Sequence, residues 1–181
     1  MEGPASTWQC ESTLAGHSEG IFCLATWGGK VARGSHDKTI RVWDVGTGTH
    51  AGEQTLDGHA GSIFALVACG QRLISSSVDK TVKVWSVATW ACMQTVQAYP
   101  AGSAQYIECL AVSGPTLTGG SSSVPAIPVT EEHEARIWDR ETLEPLLMVR
   151  LPAGEAVIGL ASDGGEVCGV VGNYVMVWVP S

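Results

Sequence analysis

The sequence predicts an all-β fold of four repeated four-stranded sheets, the pattern of a β-propeller. Three observations carry this. The 181 residues include 22 Gly and only 15% charged residues, which favours tight turns over long solvated helices. Thr13–Asp44 lies over Thr55–Ser86 at a constant offset of 42 residues, with no gap. Within each copy, short apolar or alternating runs are bounded by Gly and Asp, and no stretch carries a sustained helical stripe. Four short strands at this spacing give the period of a propeller blade.

The elements follow in chain order. "CESTL" (Cys10–Leu14) reads as a strand preceding His17. "IFCLAT" and "IFALVA" read as innermost strands, each followed by a short Gly-containing link, "TWGGKV" and "ACGQRL". "KTIRVWDV" and "KTVKVWSV" alternate as third strands, and "GEQTL", "CMQTV" and "PLLMVR" supply outer ones. A third copy, Ile107–Ser121, matches Ile63–Ser77 at an offset of 44 before the insert Ser122–Glu134 and then "ARIWD". A fourth, Val157–Val179, keeps Leu160 and Trp178 and little else. The repeats are placed at about 14–56, 57–97, 98–150 and 151–179 of a domain spanning 7–179, with 1–6 as a tail. The tally is sixteen strands, the first of which is expected to complete the last blade. A partial or open propeller is favoured over a closed four-blade ring and over a homodimer that completes an eight-bladed ring, because blades shaped for one ring size fit another poorly.

Composition bounds the function. The formal net charge is −8 with 10 Lys+Arg, and no run forms a basic face, so nucleic acid is not an expected partner. "VCGVVGNYVMVWV" is too short and too Gly-interrupted to span a bilayer, and "MEGPASTWQCEST" lacks a signal peptide's basic and apolar regions. The expectation is a cytoplasmic or nuclear protein without a membrane partner. Six Cys (10, 23, 69, 92, 109, 168) show no C-x-x-C or zinc-finger spacing and read as free thiols. No metal and no cofactor is expected. "EEHE" (Glu131–Glu134) reads as a solvated acidic loop, its residues being consecutive rather than face-aligned.

The Gly-His pair, the Asp six residues before a Trp, and the terminal Trp-Asp resemble the WD-repeat (β-transducin-like) propellers. The short link between first and second strands is similar to the subgroup found in ubiquitin-ligase-associated WD proteins. The resemblance implies a hydrogen-bonded network in each blade linking His, Asp, a strand hydroxyl and the Trp indole. Its residues would be His59, Ser75, Asp79 and Trp85 in the second repeat, and His17, Asp37 and Trp43 in the first. In the first repeat Arg33 falls where the hydroxyl is expected, with Ser35 as the nearest substitute. Repeats three and four lack the His and Asp. A Ser-His-Asp hydrolase triad is disfavoured, because the set recurs once per blade without a nucleophile elbow.

If His17 bonds Asp37, the loop entering the first strand and the turn after the second share one face. Glu19, His36, Val78, Tyr99 and Tyr106 are expected there as exposed partner contacts. The insert adds Val124, Ile127, Glu131, Glu132 and His133. The resemblance implies a non-catalytic scaffold that binds other proteins, with a substrate-recognition or adaptor role in a ubiquitin-ligase-type complex as its refinement. The W-D-x-R signature of cullin-linked receptors is absent: Asp44 precedes Val-Gly, and Asp139 precedes Arg140 and Glu141. The alternative is a closed propeller that binds a small ligand or acts as an enzyme through its channel. That reading conflicts with the apolar innermost strands, where Glu108 is the sole acid.

Overall fold

The computed structural model describes residues 9–10, 13–45, 54–123, 133–151, 156–163, 166–171 and 174–178. Among these, fifteen strands form four antiparallel sheets. Blade 1 is β1 (Ile21–Trp27), β2 (Lys30–Ser35), β3 (Ile40–Asp44) and β4 (Gln54–Leu56). Blade 2 is β5 (Ile63–Cys69), β6 (Arg72–Ser77), β7 (Thr81–Ser86) and β8 (Cys92–Gln97). Blade 3 is β9 (Gln105–Ser113), β10 (Thr116–Ser123), β11 (Glu134–Asp139) and β12 (Pro145–Arg150). Blade 4 is β13 (Val157–Asp163), β14 (Glu166–Val171) and β15 (Tyr174–Trp178). Every sheet keeps chain order, as tight Gly turns dictate: Gly28, Gly29, Gly70 and Gly114 adopt positive φ between neighbouring strands.

The expected strand at Cys10–Leu14 is corrected. Residues 9–10 and 13–14 lie outside any strand, and residues 11–12 are not described. A strand exists only through its ladder, and no described strand pairs with this stretch.

Stability lies between the blades. The rear face of blade 1 (Ala25, Ala32, Ile40, Val42) packs on the front face of blade 2 (Ile63, Leu66, Leu73, Trp85). The rear of blade 2 (Ala65, Ile74, Val82, Val84) meets Ile107, Leu110, Leu117 and Trp138 of blade 3 in the same way. Each fully buried Ile, Leu or Val contributes about 1.5–3 kcal/mol, so these sandwiches dominate the fold. Close approach explains the small residues on β2 and β10. A Cβ added at Gly34 would lie 2.6 Å from Ile63 Cγ2, and one added at Gly120 would lie 2.4 Å from Val157 Cβ. Trp43, Trp85, Trp138 and Trp178, on the third strands, occupy one register position, opposite Val31, Leu73, Leu117 and Val167.

Each innermost strand carries one irregularity at the same place. The register slips between Ile21 and Cys23, between Ile63 and Ala65, opposite Gly120/Ser121 (between Ile107 and Cys109), and between Val157 and Gly159. One residue is therefore left over in each blade: Phe22, Phe64, Glu108 and Ile158. A bulge re-aims the side chain it carries, and this one positions the candidate site.

Candidate functional site

The polar clasp of blade 2 is complete. Trp85 Nε1–H donates to Ser75 Oγ at 2.8 Å, and Ser75 Oγ lies 2.7 Å from His59 Nε2. Indole nitrogen can only donate, so the hydroxyl accepts from Trp85 and makes its second hydrogen bond with His59. On the other side of the ring, His59 Nδ1–H donates to Asp79 Oδ2 at 2.8 Å. Asp79 also accepts from Ala60 N (2.9 Å), Thr81 N (2.9 Å) and Thr81 Oγ1 (2.6 Å), which fixes the turn where Lys80 takes a φ of 71°. Burial alone would raise the Asp79 carboxyl. The hydrogen bonds from His59, Thr81 and Ala60 outweigh it and hold the group well below the usual carboxylate range.

Blade 1 repeats the turn half of this network and changes the strand half. His17 Nδ1 lies 2.8 Å from Asp37 Oδ2, and Asp37 accepts from Ser18 N, Thr39 N and Thr39 Oγ1 at 3.1, 3.0 and 2.7 Å. Burial raises the Asp37 carboxyl too, and the bonds from Thr39, His17 and Ser18 again outweigh it and lower it. Ser35 does not supply the missing hydroxyl: its Oγ donates to Gly20 O at 2.9 Å. His17 Nε2 instead faces the Arg33 carbonyl at 3.2 Å. A carbonyl only accepts, so His17 makes both bonds only with both ring nitrogens protonated. The Arg33 guanidinium stacks 3.9 Å from the Trp43 ring centroid, and the buried Trp43 indole N–H has no hydrogen-bond partner. In blade 3 the register position of Ser75 is Gly119, and a different device operates. Arg136 pairs with Glu134 at 2.8 Å, donates to Ala98 O at 2.7 Å and lies 4.1 Å over the Tyr99 ring.

The four bulge residues converge on the axis around which the blades fan. Phe22, Phe64, Glu108 and Ile158 line a hollow of about 380 Å³ together with Cys23, Leu66, Cys109 and Leu160. Phe22 stacks on Phe64 with ring centroids 4.8 Å apart and planes 8° from parallel, and Phe64 meets Tyr106 at 4.9 Å. At the rim Phe22 presents its edge or face to His36 at 6.0 Å, and His36 bonds the Glu19 carboxylate. Burial pushes the thiols of Cys23 and Cys109 up to about 12, so both stay neutral rather than nucleophilic. Among the described residues no group of three His, Cys, Asp or Glu stands close enough to hold a metal ion. Glu108 is the one carboxylate among the residues lining the hollow. The hollow thus combines a stacked aromatic wall with one carboxylate.

The remaining sequence-predicted contacts divide. Glu19 and His36 are exposed, and Val78 is half-buried in the equivalent turn of blade 2. The exposure expected of Tyr99, Tyr106 and His133 is corrected: all three are buried. Tyr99 is held under Arg136 between blades 2 and 3, and Tyr106 packs beside Phe64. Val124, Ile127, Glu131 and Glu132 lie outside the described residues. The bulge residues were missed as a site. The signal was available in the repeat alignment, where Phe22, Phe64, Glu108 and Ile158 each follow the first β-branched residue of their strand.

Residues 8–44 and 53–86 match the family described as WD domain, G-beta repeat. A 47-residue segment is 43% identical to the CCR4-associated factor 4 homolog of Candida glabrata, covering 26% of this chain and 8% of that protein. The chain therefore spans only a small part of that relative's length. The crystal structure of the computationally designed Ika4 protein is similar over 97% of this chain and 100% of its own, with a TM-score of 0.74 and 25% identity. Two stretches of the chain, each with its own clasp, are thus similar to the WD domain, G-beta repeat, and they sit within an all-β fold of four antiparallel sheets consistent with an open or partial β-propeller.

Proposed function

We propose that this protein is a non-catalytic interaction scaffold, and that the axial hollow with its Phe22–Phe64 wall receives a segment of another protein. The observation that supports it is the repeated bulge, which turns one side chain per blade away from the sheet and toward the axis. A stacked aromatic pair beside a single carboxylate suits an apolar or basic side chain of a partner. The name of the Candida glabrata relative describes an associated factor, which is in keeping with an interaction role. The test is affinity capture from cell extract with the intact chain and with a Phe22→Ser/Phe64→Ser double variant. Both residues lie at the hollow, so the variant should keep its β-sheet circular dichroism and lose its specific partners. Unchanged capture would remove the hollow from the interface.

A role as substrate-recognition or adaptor module in a ubiquitin-ligase-type complex is the finer proposal. It is supported by the short Gly turns between first and second strands. Ubiquitin-ligase subunits among the captured proteins would sustain it, and their absence from an otherwise positive capture would end it.

A further inference from the structure

The two ends of the arc expose the two halves of the contact that every internal junction buries. The registers align Ile21, Ile63, Ile107 and Val157 at the start of their blades. Ile63, Ile107 and Val157 are 0%, 1% and 0% exposed, because each sits on the rear face of the preceding sheet, whereas Ile21 is 46% exposed. Leu24 is 57% exposed where its counterparts Leu66 and Leu110 are both 8% exposed. The other end shows the converse. Val175 holds the register of Ile40, Val82 and Ala135, and it is 71% exposed where they are 0%, 2% and 1%. Val177 is 54% exposed where Val42 and Val84 are 1% and 2%. Beside them lies an apolar hollow of about 260 Å³ lined by Leu160, Ala161, Cys168, Val170 and Val175.

We propose that a second copy of this chain covers both ends, the front of blade 1 in each copy seating on the rear of blade 4 in the other. The occupant is argued from complementarity. The front of blade 1 carries the knobs that fill each internal junction, and the rear of blade 4 carries the surface that receives them. A head-to-tail contact made twice between two copies closes on itself and leaves neither half exposed. One detail distinguishes this junction from the internal ones. Val170 stands at the register of Gly34, Ser76 and Gly120. A Cβ at Gly34 would already meet Ile63 Cγ2 at 2.6 Å, and the internal junctions hold nothing larger than Ser76 at this register, so with Val170 in its place the contact between copies is wider than the contact within one.

Light scattering on the intact chain tests the proposal, with an expected mass of twice 18.9 kDa. Leu24→Asp and Val175→Asp each alter a residue already exposed in the single chain, so both should keep the wild-type circular dichroism and run as monomers. Mixing the two variants should restore a pair, because one of its two junctions is wild type on both sides. Val170→Gly should tighten the dimer, lowering its dissociation constant by about tenfold, the effect of about 1.4 kcal/mol. A monomeric wild type, assemblies that grow beyond two copies, or a dimer indifferent to both Asp variants would overturn the proposal.

Discussion

Replacing Ser75 by Ala tests whether the clasp of blade 2 works as a relay. Ser75 is fully buried, and its hydroxyl is the partner of both Trp85 Nε1–H, at 2.8 Å, and His59 Nε2, at 2.7 Å. Alanine keeps the Cβ and removes the hydroxyl, so Trp85 Nε1–H and His59 Nε2 both lose this partner inside the protein. Each such group costs about 1–3 kcal/mol, so the expected loss is about 2–6 kcal/mol. For a chain of this size that corresponds to a melting point lower by about 4–24 °C. Urea denaturation followed by tryptophan fluorescence and far-ultraviolet circular dichroism gives the number. The relay also predicts non-additivity: Trp85→Phe should cost about 1–2 kcal/mol less in the Ser75→Ala background than in wild type, because the indole N–H is already orphaned there. A loss below about 0.5 kcal/mol, or additive effects, would refute the reasoning.

Other outcomes follow from the same structure. The carboxyls of Asp37 and Asp79 are lowered below their ordinary value of 3.8 in the folded protein, so both clasps contribute fully above that pH and weaken as the pH falls below it. An acid titration of stability should therefore drop below about pH 4, and an Asp37→Asn/Asp79→Asn variant should start lower and show a flatter acid limb. Maleimide labelling at pH 8, read by peptide mass spectrometry, should modify exposed Cys10 and Cys92 quickly and leave Cys23 and Cys109, with thiols near 12, largely unlabelled. Gly120→Ala should destabilise the protein by about 1–3 kcal/mol, because its new methyl meets Val157 Cβ at 2.4 Å and Cys109 Sγ at 2.7 Å. Gly159→Ala, with nothing within 4 Å, is the matched control and should cost far less in the same denaturation assay.

The repeat register was legible because it is written in residues that cannot move independently. His59, Ser75, Asp79 and Trp85 satisfy one another, so their spacing carries the geometry of a whole blade. The same logic located His17, Asp37 and Trp43, and it flagged Arg33 as the break in the first blade, where the indole N–H is indeed left alone. Tyr99 and His133 were misplaced for a physical reason. Tyr99 lies next to a turn and His133 within the run that reads as a solvated acidic loop, so local pattern predicts exposure for both. Tyr99 is buried by Arg136, 37 residues further along the chain, and no local periodicity encodes that contact. The bulges themselves were not legible in any single strand, although the repeat alignment holds their positions in common. Phe22 and Phe64 read as ordinary members of an apolar run, and only the pairing on both sides shows that each is skipped by the ladder.

That skipped position separates two kinds of constraint. The residues on either side of it answer to neighbouring sheets and tolerate little change. Phe22, Phe64, Glu108 and Ile158 answer to no rung of the ladder, and they already differ in size, shape and charge while their four sheets stay superimposable in register. Such a ring of four can be re-lettered one residue at a time, so the chemistry at the centre of the molecule can change while the sheets that carry it stay intact.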